Sequence, residues 1–596
     1  MKIETEQLRI SLQSLSNIYA DSRRLAQATR NYYHGKHYTE EQLKILNGRG
    51  QPSETHNVIR AFSNLLIGYF TDVNNSISLK ATKPEDIKST SVLKDVLAYV
   101  LRKNNYSDTL STINLSGMLS GLMIAYTYPK VEQPNVYSKA IYDVGIEYVP
   151  ENEFFIDDRA MKPDYSDARV MHRCKWLGKE VLYTMFNKAD VDKLALQGYA
   201  GEDTGTDEQF RYNSVSYHRE EDDSHLVVHS VVYDNKNELH SVYWSGDVLL
   251  QDYNLTTMGV PNPYVVVRVS NSTDAEYYGV FEGLVESQKA INQAIIKIQL
   301  LANTHKVLVE QDAVEDMDEF IDRYNSVNAV IPIGRLSGVK VERLTADIND
   351  QLKLIEGALT RFKQVLGVND AFLGNAMSGD SGRKLLIQKK ATLLSLKYIT
   401  DKMKLFQLLM GKSIIAYIKL VYKEERILRV TDEEGRDTWT HINKPLYDEQ
   451  GKPMRDLITN ESNTPLETED GQMMTQPLND PDTEFSYDDT DIEIKTTSYV
   501  DDDELNSQFV NEVLNGTAGN ALLQMNPAGF MMLASKAIRG SNYKMSSDIA
   551  DIYAQTAQML QQSQQTQPQV GQGAGQNMQG DLPSIKEERP IGRPTQ

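Results

Sequence analysis

The stretch "FEGLVESQKAINQAIIKIQLLANTH", residues 281–305, reads as one helix with a narrow seam. Leu284, Gln288, Ile291, Ile295, Ile298 and Ala302 fall at alternating spacings of four and three, the signature of an apolar stripe facing a partner helix. A second helix, "NDQLKLIEGALTRFKQVLG" (349–367), repeats the pattern with Leu352, Ile355, Leu359, Phe362 and Leu366. At ~1.5 Å per residue each spans about 30 Å. Between them lies a compact insert that reads β-α-β-β: "HKVLVEQ", "AVEDMDEFIDRY", "NAVIPIG" and "VKVERL". Two helices of similar length thus carry a small module at their far end. Stripes this narrow suit packing against neighbouring subunits, and a helical core within one subunit fits the pattern equally well.

Working outward, "LGNAMSGDSGRKLLIQKKATLL" (373–394) is rich in glycine and serine up to Gly382 and then turns helical. The pattern predicts a helix over 383–422, of ~60 Å. A hairpin follows in "RILRVTDEEGRDTWTHIN", turning at Glu434-Gly435. Residues 444–490 are polar and rich in Pro, Asp and Asn, and read as long loops. "TDIEIKTTSYV" reads as a strand, and 503–560 as short helices. From Gln555 to Gln579, 11 of 25 residues are Gln, so the tail cannot bury a core and is expected to be disordered.

Toward the N-terminus, residues 5–33 read as one amphipathic helix, and further helices fit 57–70, 86–105 and a segment starting near Tyr106. From about 122 to 270 the period shifts toward two. "HLVVHSVVYDNKNELHSVYWSGDVLLQDY" reads as a β-meander with turns at Asp234–Asn237 and Ser245–Asp247. No repeat of 20–50 residues is present.

The chain has 596 residues and a net charge of −21. That balance excludes tight binding of nucleic acid over the average surface, because such affinity comes from Lys and Arg neutralising phosphates. Cys174 is the single cysteine, so no disulfide forms within the chain, which suits a reducing cytosol. The N-terminus has no secretory apolar region, and no run approaches a membrane span. A soluble intracellular product is expected.

Enzyme signatures are weak. Gly379-Asp380-Ser381-Gly382 spells the GDSG of serine proteases, but Arg383 and Lys384 follow where that motif has a further Gly, and no histidine sits in a partner motif. A phosphate cradle starting at Gly374 needs Lys at position 380, where the chain has Asp. His225 and His229 have chelating spacing only on a helix. In a strand they stand ~13 Å apart, and two surface histidines on one strand face are expected instead. "DDTD" (488–491) and "DDDE" (501–504) lack a calcium-loop pattern and read as solvated charge. "FIDDRA" (155–160) reads as a turn after a strand. No catalytic residue, metal or cofactor is expected.

The order of these parts resembles the portal proteins of tailed bacteriophages, particularly short-tailed ones. "YYHGKHYTEEQ" followed by "GRGQPSETHNVIRAFSNLLIGYF" resembles the family's N-terminal aromatic-Gly segment, with Asn57 opening a helix that ends near Gly68. "VPENEFFIDDRAMKPDYSDARVMHRCKWL" resembles its β segment with an Asp-bearing turn, although relatives often have Asp-Pro where Asp157-Asp158 stand. "PNPYVVVRVSNSTDAEYYGVFEGLVESQKAINQ" resembles its strand, Tyr278-Gly279 and stem helix bearing Gln288 and Asn292. The likeness covers most of residues 30–560.

The resemblance implies an α+β, elongated subunit and a ring of twelve copies at one capsid vertex, through which double-stranded DNA is packaged and ejected. It implies a wing (1–280 and 384–500), a stem (281–303 and 347–367), a clip (304–346), a tunnel loop (368–383), a crown (501–560) and a tail (561–596). Asn375, Met377, Ser378, Asp380, Arg383 and Lys384 become the loop residues facing DNA. Leu284, Ile291, Ile295, Ile298, Leu352, Ile355, Leu359 and Phe362 become the stem seam. The implied partners are further copies of the chain, DNA, the terminase large subunit, the major capsid protein, a tail adaptor and a scaffold protein, with no membrane. The implied location is the virion, after assembly in the host cytoplasm. A head–tail adaptor is the alternative within the same class, although adaptors are much shorter chains. An intracellular hydrolase using Ser381 is the alternative from another class.

Overall fold

The computed structural model describes residues 4–72, 77–80, 87–132, 141–196, 217–219, 223–270, 276–303, 306–310, 313, 314, 316–324, 333, 335, 337, 339–342, 345–370, 372, 373, 388, 391, 392, 394–431, 437–448, 450, 452–457, 475–480, 483, 493–496, 523–539 and 551–559. Helix and sheet are mixed, as the α+β reading expects. The chain divides into two compact units, Met1–Tyr499 and Val500–Gln596.

The first unit is organised around a three-stranded antiparallel sheet. Its central strand, Leu122–Glu132, pairs with Tyr264–Arg268 on one side and Ile141–Tyr148 on the other. The run "LMIAY" (122–126) is continuously apolar because both faces of this sheet are covered. Side chains alternate across a strand, so Met123 and Ala125 enter one core while Leu122 and Ile124 enter another. Val265 and Val267 against Tyr264 and Val266 repeat the division on the neighbouring strand.

The first of these cores is helical. Val58–Asp72, Ile87–Lys103 and Tyr106–Ser120 contribute to it, as does the long helix Lys397–Val421, which buries Ile399, Met403, Phe406, Met410 and Ile414. The helix predicted over 383–422 is interrupted at Leu396, whose ψ of 0° leaves helical geometry; the described residues just before it, 388, 391, 392, 394 and 395, are helical, and 383–387 lie outside the described residues. Lys397–Val421 is the segment after the break. Its 25 residues reach ~37 Å. Leu396 is buried and Ser395 Oγ donates to the Thr392 carbonyl, so packing and a side-chain bond fix the break.

The second core lies under a six-stranded antiparallel sheet. Its strands run in the order Phe154–Ile156, Val170–Gly178, Ser224–Tyr233, Leu239–Ser245, Val248–Asn254, with His218–Arg219 pairing to the start of Ser224–Tyr233. The meander and both its turns are as read from the sequence: Asn237 and Gly246 take the positive φ (63° and 58°) such turns require. Two short helices, Lys179–Met185 and Lys188–Leu196, stand within the region whose period shifts toward two. They bury Leu182, Val191 and Leu194 against Val227 and Leu250.

The helix predicted over 5–33 is two helices, Thr5–Ile18 and Ala20–Tyr33. Each serves a different neighbour. Leu8, Leu12 and Leu15 cover the six-stranded sheet, whereas Ala20–Tyr33 packs on the helices Val58–Asp72 and Tyr106–Ser120. Tyr19 breaks the helix at φ −89°, ψ 9° and sets its ring 5.4 Å from that of Tyr277.

The hairpin Arg426–Thr431/Asp437–Ile442 is antiparallel as predicted, with its turn residues 432–436 outside the described residues. The 444–490 region, read as loops, carries a small ladder, Arg455–Leu457 against Thr475–Pro477, with bridges Pro445–Asn479 and Tyr447–Pro453. Glu493–Thr496 is a strand, and it pairs with Ile77–Lys80 from the other end of the sequence. In the second unit, Asn526 accepts the Gly529 N–H and Pro527 occupies the first turn of Pro527–Arg539, a capped helix start. Ala534 packs there with Phe530 and Tyr553. The Gln-rich stretch read from Gln555 as unable to bury a core begins within a helix, 551–559, with Ala557 buried; the expected disordered tail, 561–596, lies outside the described residues.

Candidate functional site: the helix pair and its anchorage

The helices Val285–Asn303 and Thr345–Leu366 pack against each other and carry the antiparallel pair Lys306–Val309/Val339–Glu342 at their far end. Met317–Tyr324 is the helix between those strands, with Phe320 buried. The strand read at "NAVIPIG" lies mainly outside the described residues.

The seam is closed at one end only. Leu284, Ile291 and Phe362 are fully buried, and Phe362 stacks on Phe62 of the body with ring centroids 5.8 Å apart. Ile295, Ile298, Leu359 and Ile355 are half-buried. Leu352 is 45% exposed. Exposure therefore rises along the pair away from the body. Leu354 and Val365, off the seam, are 47% and 57% exposed. The helix pair keeps apolar surface that its own subunit does not cover.

The base of the pair is bolted to the N-terminal body by polar groups. Val58 and Ile59 open a helix, and their N–H groups need acceptors that the helix cannot supply. Gln288 Oε1 accepts both, at 2.9 and 3.2 Å. Its Nε2 donates to the His56 carbonyl (2.7 Å) and to Asn292 Oδ1 (3.0 Å). Asn292 Nδ2 then reaches His37 Nδ1 at 2.7 Å. Burial holds the His37 pKa below its usual value, so the neutral ring that accepts this bond is favoured. Asn57 closes the joint: its Oδ1 accepts from Arg60 N–H, and its Nδ2 donates to the carbonyls of Tyr32 and Tyr33. The aromatic-Gly segment, Asn57 and the pair Gln288/Asn292, noticed separately in the sequence, thus meet at one place.

Just before this helix, Gly279 lies against the end of Tyr106–Ser120. A Cβ on Gly279 would stand 2.3 Å from the Leu119 carbonyl oxygen, and one on Gly121 (φ +93°) 2.5 Å from that of Tyr278. Two backbones meet where side chains do not fit. A second anchor was not legible in the sequence. Glu151, wholly buried, accepts from Arg30 at 2.6 Å and from Tyr277 Oη at 3.2 Å. The Arg23 guanidinium donates to the carbonyls of Glu151, Asn152 and Phe154. Nothing in the spacing of these residues signals the pairing, because it spans more than 100 residues of chain.

The loop residues Asn375, Met377, Ser378, Asp380, Arg383 and Lys384, and with them Ser381, lie outside the described residues. The residues on either side are tied together. Asn369 Nδ2 donates to the Gln388 carbonyl at 2.6 Å, and Ser395 Oγ donates to the Gly367 carbonyl at 3.1 Å.

The histidines follow a different plan from the one expected. His225 and His229 do share a strand, but both are buried rather than on the surface. His229 bonds Tyr264 Oη (2.6 Å) and Ser241 Oγ (2.8 Å), and burial holds its pKa down to about 3. His172, bonded to Ser230 Oγ and Ser11 Oγ, is likewise lowered to about 3 by burial. "FIDDRA" is a strand and turn as read: Asp157 accepts the N–H groups of Arg159 and Arg169.

No buried acid–base–nucleophile set comes together in the described residues; what does come together is a mechanical assembly, a helix pair with a small module at its tip, locked at its base. The family model Phage P22-like portal protein matches residues 12–587, and the chain belongs to this family of phage portal proteins. It is also similar to the portal protein of Helicobacter pylori bacteriophage KHP30, at 21% identity over 439 residues, 72% of this chain and 68% of that one. The family is structural, and its members are capsid-associated oligomers of the virion. No helix among the described residues is long and apolar enough to cross a membrane.

Proposed function

We propose that this portal protein forms a closed ring, of twelve copies by the family resemblance, at one capsid vertex, and that double-stranded DNA is packaged and ejected through its channel. The observation that carries the ring is the half-open seam. The helix pair leaves Leu352, Leu354 and Val365 exposed, and a repeated head-to-tail interface covers such surface. In this reading 281–303 and 347–367 are the stem, 304–346 is the clip that docks the terminase large subunit and later the tail adaptor, and 1–280 and 384–500 are the wing; the major capsid protein and a scaffold protein are further partners. The crown is 501–560, with the Gln-rich tail beyond.

Asn375, Met377, Ser378, Asp380, Arg383 and Lys384 form the tunnel loop beside the DNA. Twelve chains carry about −250 formal charges, twelve times −21, so a basic ring at Arg383 and Lys384 is local in an acidic channel. DNA slides past such a wall because few contacts grip its phosphates. Replacing Asp380 by Lys adds one positive charge per subunit at one level. Packaging by Asp380→Lys particles is expected to slow, most at low salt; a wild-type rate across the salt range removes the loop from the channel wall. Deleting Ala376–Asp380 is expected to spare the ring and alter packaged DNA length, whereas a failure to assemble places the loop in a subunit interface.

A further inference from the structure

The segment "HREEDDSH" (218–225) plays no part in the function proposed above, and the fold gives its two histidines a specific relation. The partner of His225 is not His229, four residues along the same strand, but His218 on the adjoining short strand. The two are direct cross-strand neighbours in an antiparallel ladder. Neighbours of this kind project from the same face, with Cβ atoms ~5 Å apart. Their rings stack at 4.5 Å. Asp223, at φ +48° in the connection, turns its carboxylate back to His218 Nε2 at 2.9 Å. One donor atom from each of His218, Asp223 and His225 lies within 4.8 Å of the others.

We propose that His218, Asp223 and His225 form a binding site for a borderline divalent transition ion of the zinc class, which clasps the short edge strand to the six-stranded sheet. Two imidazoles and one carboxylate are the donors such ions select, whereas magnesium and calcium require oxygen shells. A tetrahedral zinc with ligands at ~2.0–2.2 Å needs donor atoms roughly 3.3 Å apart. Closing from 4.8 Å takes only side-chain rotation of Asp223, which is exposed, and His218, which is half-exposed, toward the buried His225. Three protein ligands leave the fourth position to water.

The ion also has something to hold. His218–Arg219 pairs over only two residues, at the end of Ser224–Tyr233 that the strand Leu239–Ser245 does not reach. So short a ladder is weak alone, and a bond between cross-strand side chains fixes its register. Lys179 bears electrostatically on both Asp223 and His225 and opposes the ion. A second group, Asp234, Glu238 and His240, is less suitable because its donors are already engaged. Asp234 Oδ1 accepts the N–H groups of Lys236 and Glu238, Glu238 takes Asn254 Nδ2, and His240 Nδ1 bonds Asp252.

The test uses the full-length protein, stripped with a chelator and titrated calorimetrically with Zn²⁺, with the visible absorption of bound Co²⁺ as a second readout of nitrogen–oxygen coordination. The wild type is expected to bind about one Zn²⁺ per chain at this site, as three protein ligands allow. His218→Ala, at a half-exposed position that spares the fold, is expected to weaken binding by more than the ~10-fold typical of losing an outer-sphere partner. Lys179→Gln is expected to tighten it. Absence of Zn²⁺ binding by the wild type, undiminished binding by His218→Ala, or loss in His240→Ala with His218→Ala unchanged each overturns the assignment. Circular dichroism of each variant separates loss of the site from loss of the fold.

Discussion

The sheet body and the helix pair bury their surface in opposite ways. In the body, both faces of the central strands are covered from within the chain, and its buried histidines and Trp244 are matched: His172 with Ser230 and Ser11, His229 with Tyr264 and Ser241, Trp244 Nε1 with Ser230. In the helix pair, burial is complete only at the base, and Leu352 and Leu354 face outward. The body closes its cores from within the chain, whereas the helix pair keeps apolar surface that the ring proposed above would cover. Substitutions in the first should therefore cost folding, and those in the second should cost assembly.

The sharpest break in that contrast is at Gly279. A side chain there meets the Leu119 backbone, which cannot rotate away. Gly279→Val is expected to destabilise by at least ~3 kcal/mol and to reduce soluble yield, because overpacking against backbone has no cheap relief. Gly283→Ala, four residues on, meets nothing within 4 Å and is expected to leave the urea midpoint almost unchanged. Equal effects at the two positions contradict the close approach.

At the joint, Gln288→Leu strands the Ile59 N–H and Asn292 Oδ1, while the Val58 N–H keeps its bond to the His56 carbonyl. Unsatisfied buried groups cost ~1–3 kcal/mol each, and partial relaxation brings the expected loss to about 2–4 kcal/mol by denaturant titration. A neutral effect would mean that the anchor is not rigid.

In the body, the buried histidines tie stability to pH. His172 and His229 have folded pKa values of about 3 against an ordinary 6.5. The unfolded chain binds more protons below 6.5, so their contribution is full above that pH and is lost as pH falls from 6.5 toward 3. With both groups, the slope approaches ~2.7 kcal/mol per pH unit. His229→Gln is expected to flatten it by about half, measured as unfolding free energy between pH 6.5 and 4.5. An unchanged slope removes His229 from the account.

Much of this plan could be read from the chain. The meander, its turns, the hairpin at 426–442 and the helix–module–helix order follow from local period and turn chemistry, which operate over a few residues. What escaped depends on distant partners. Tyr19 ends a helix because Tyr277 waits beside it. The long helix is interrupted at Leu396 because Leu396 and Ser395 are held by neighbours. The burial of His225 and its cross-strand neighbour His218 escaped, since spacing along one strand says nothing of the strand beside it. Gln288 and Asn292 were visible as polar residues in an apolar helix, but their role as the cap of another helix required the fold.

The smallest expected effect on the subunit comes with the largest on assembly. Leu352 stands on the open part of the seam, and Ile295 is half-buried where the seam closes on the core. Leu352→Asp is expected to shift subunit stability by no more than ~0.5 kcal/mol, as for an exposed position. Ile295→Asp places an unpaired charge at a half-buried seam position, and is expected to weaken the proposed ring further. The decisive measurement is native mass spectrometry of the full-length protein and both variants at assembly-permissive salt and concentration. The account predicts a closed homo-oligomeric ring for the wild type, and a shift toward monomers for both variants with far-ultraviolet circular dichroism unchanged. Wild-type protein that yields only monomers and dimers, or variants that form rings as readily as the wild type, would contradict it.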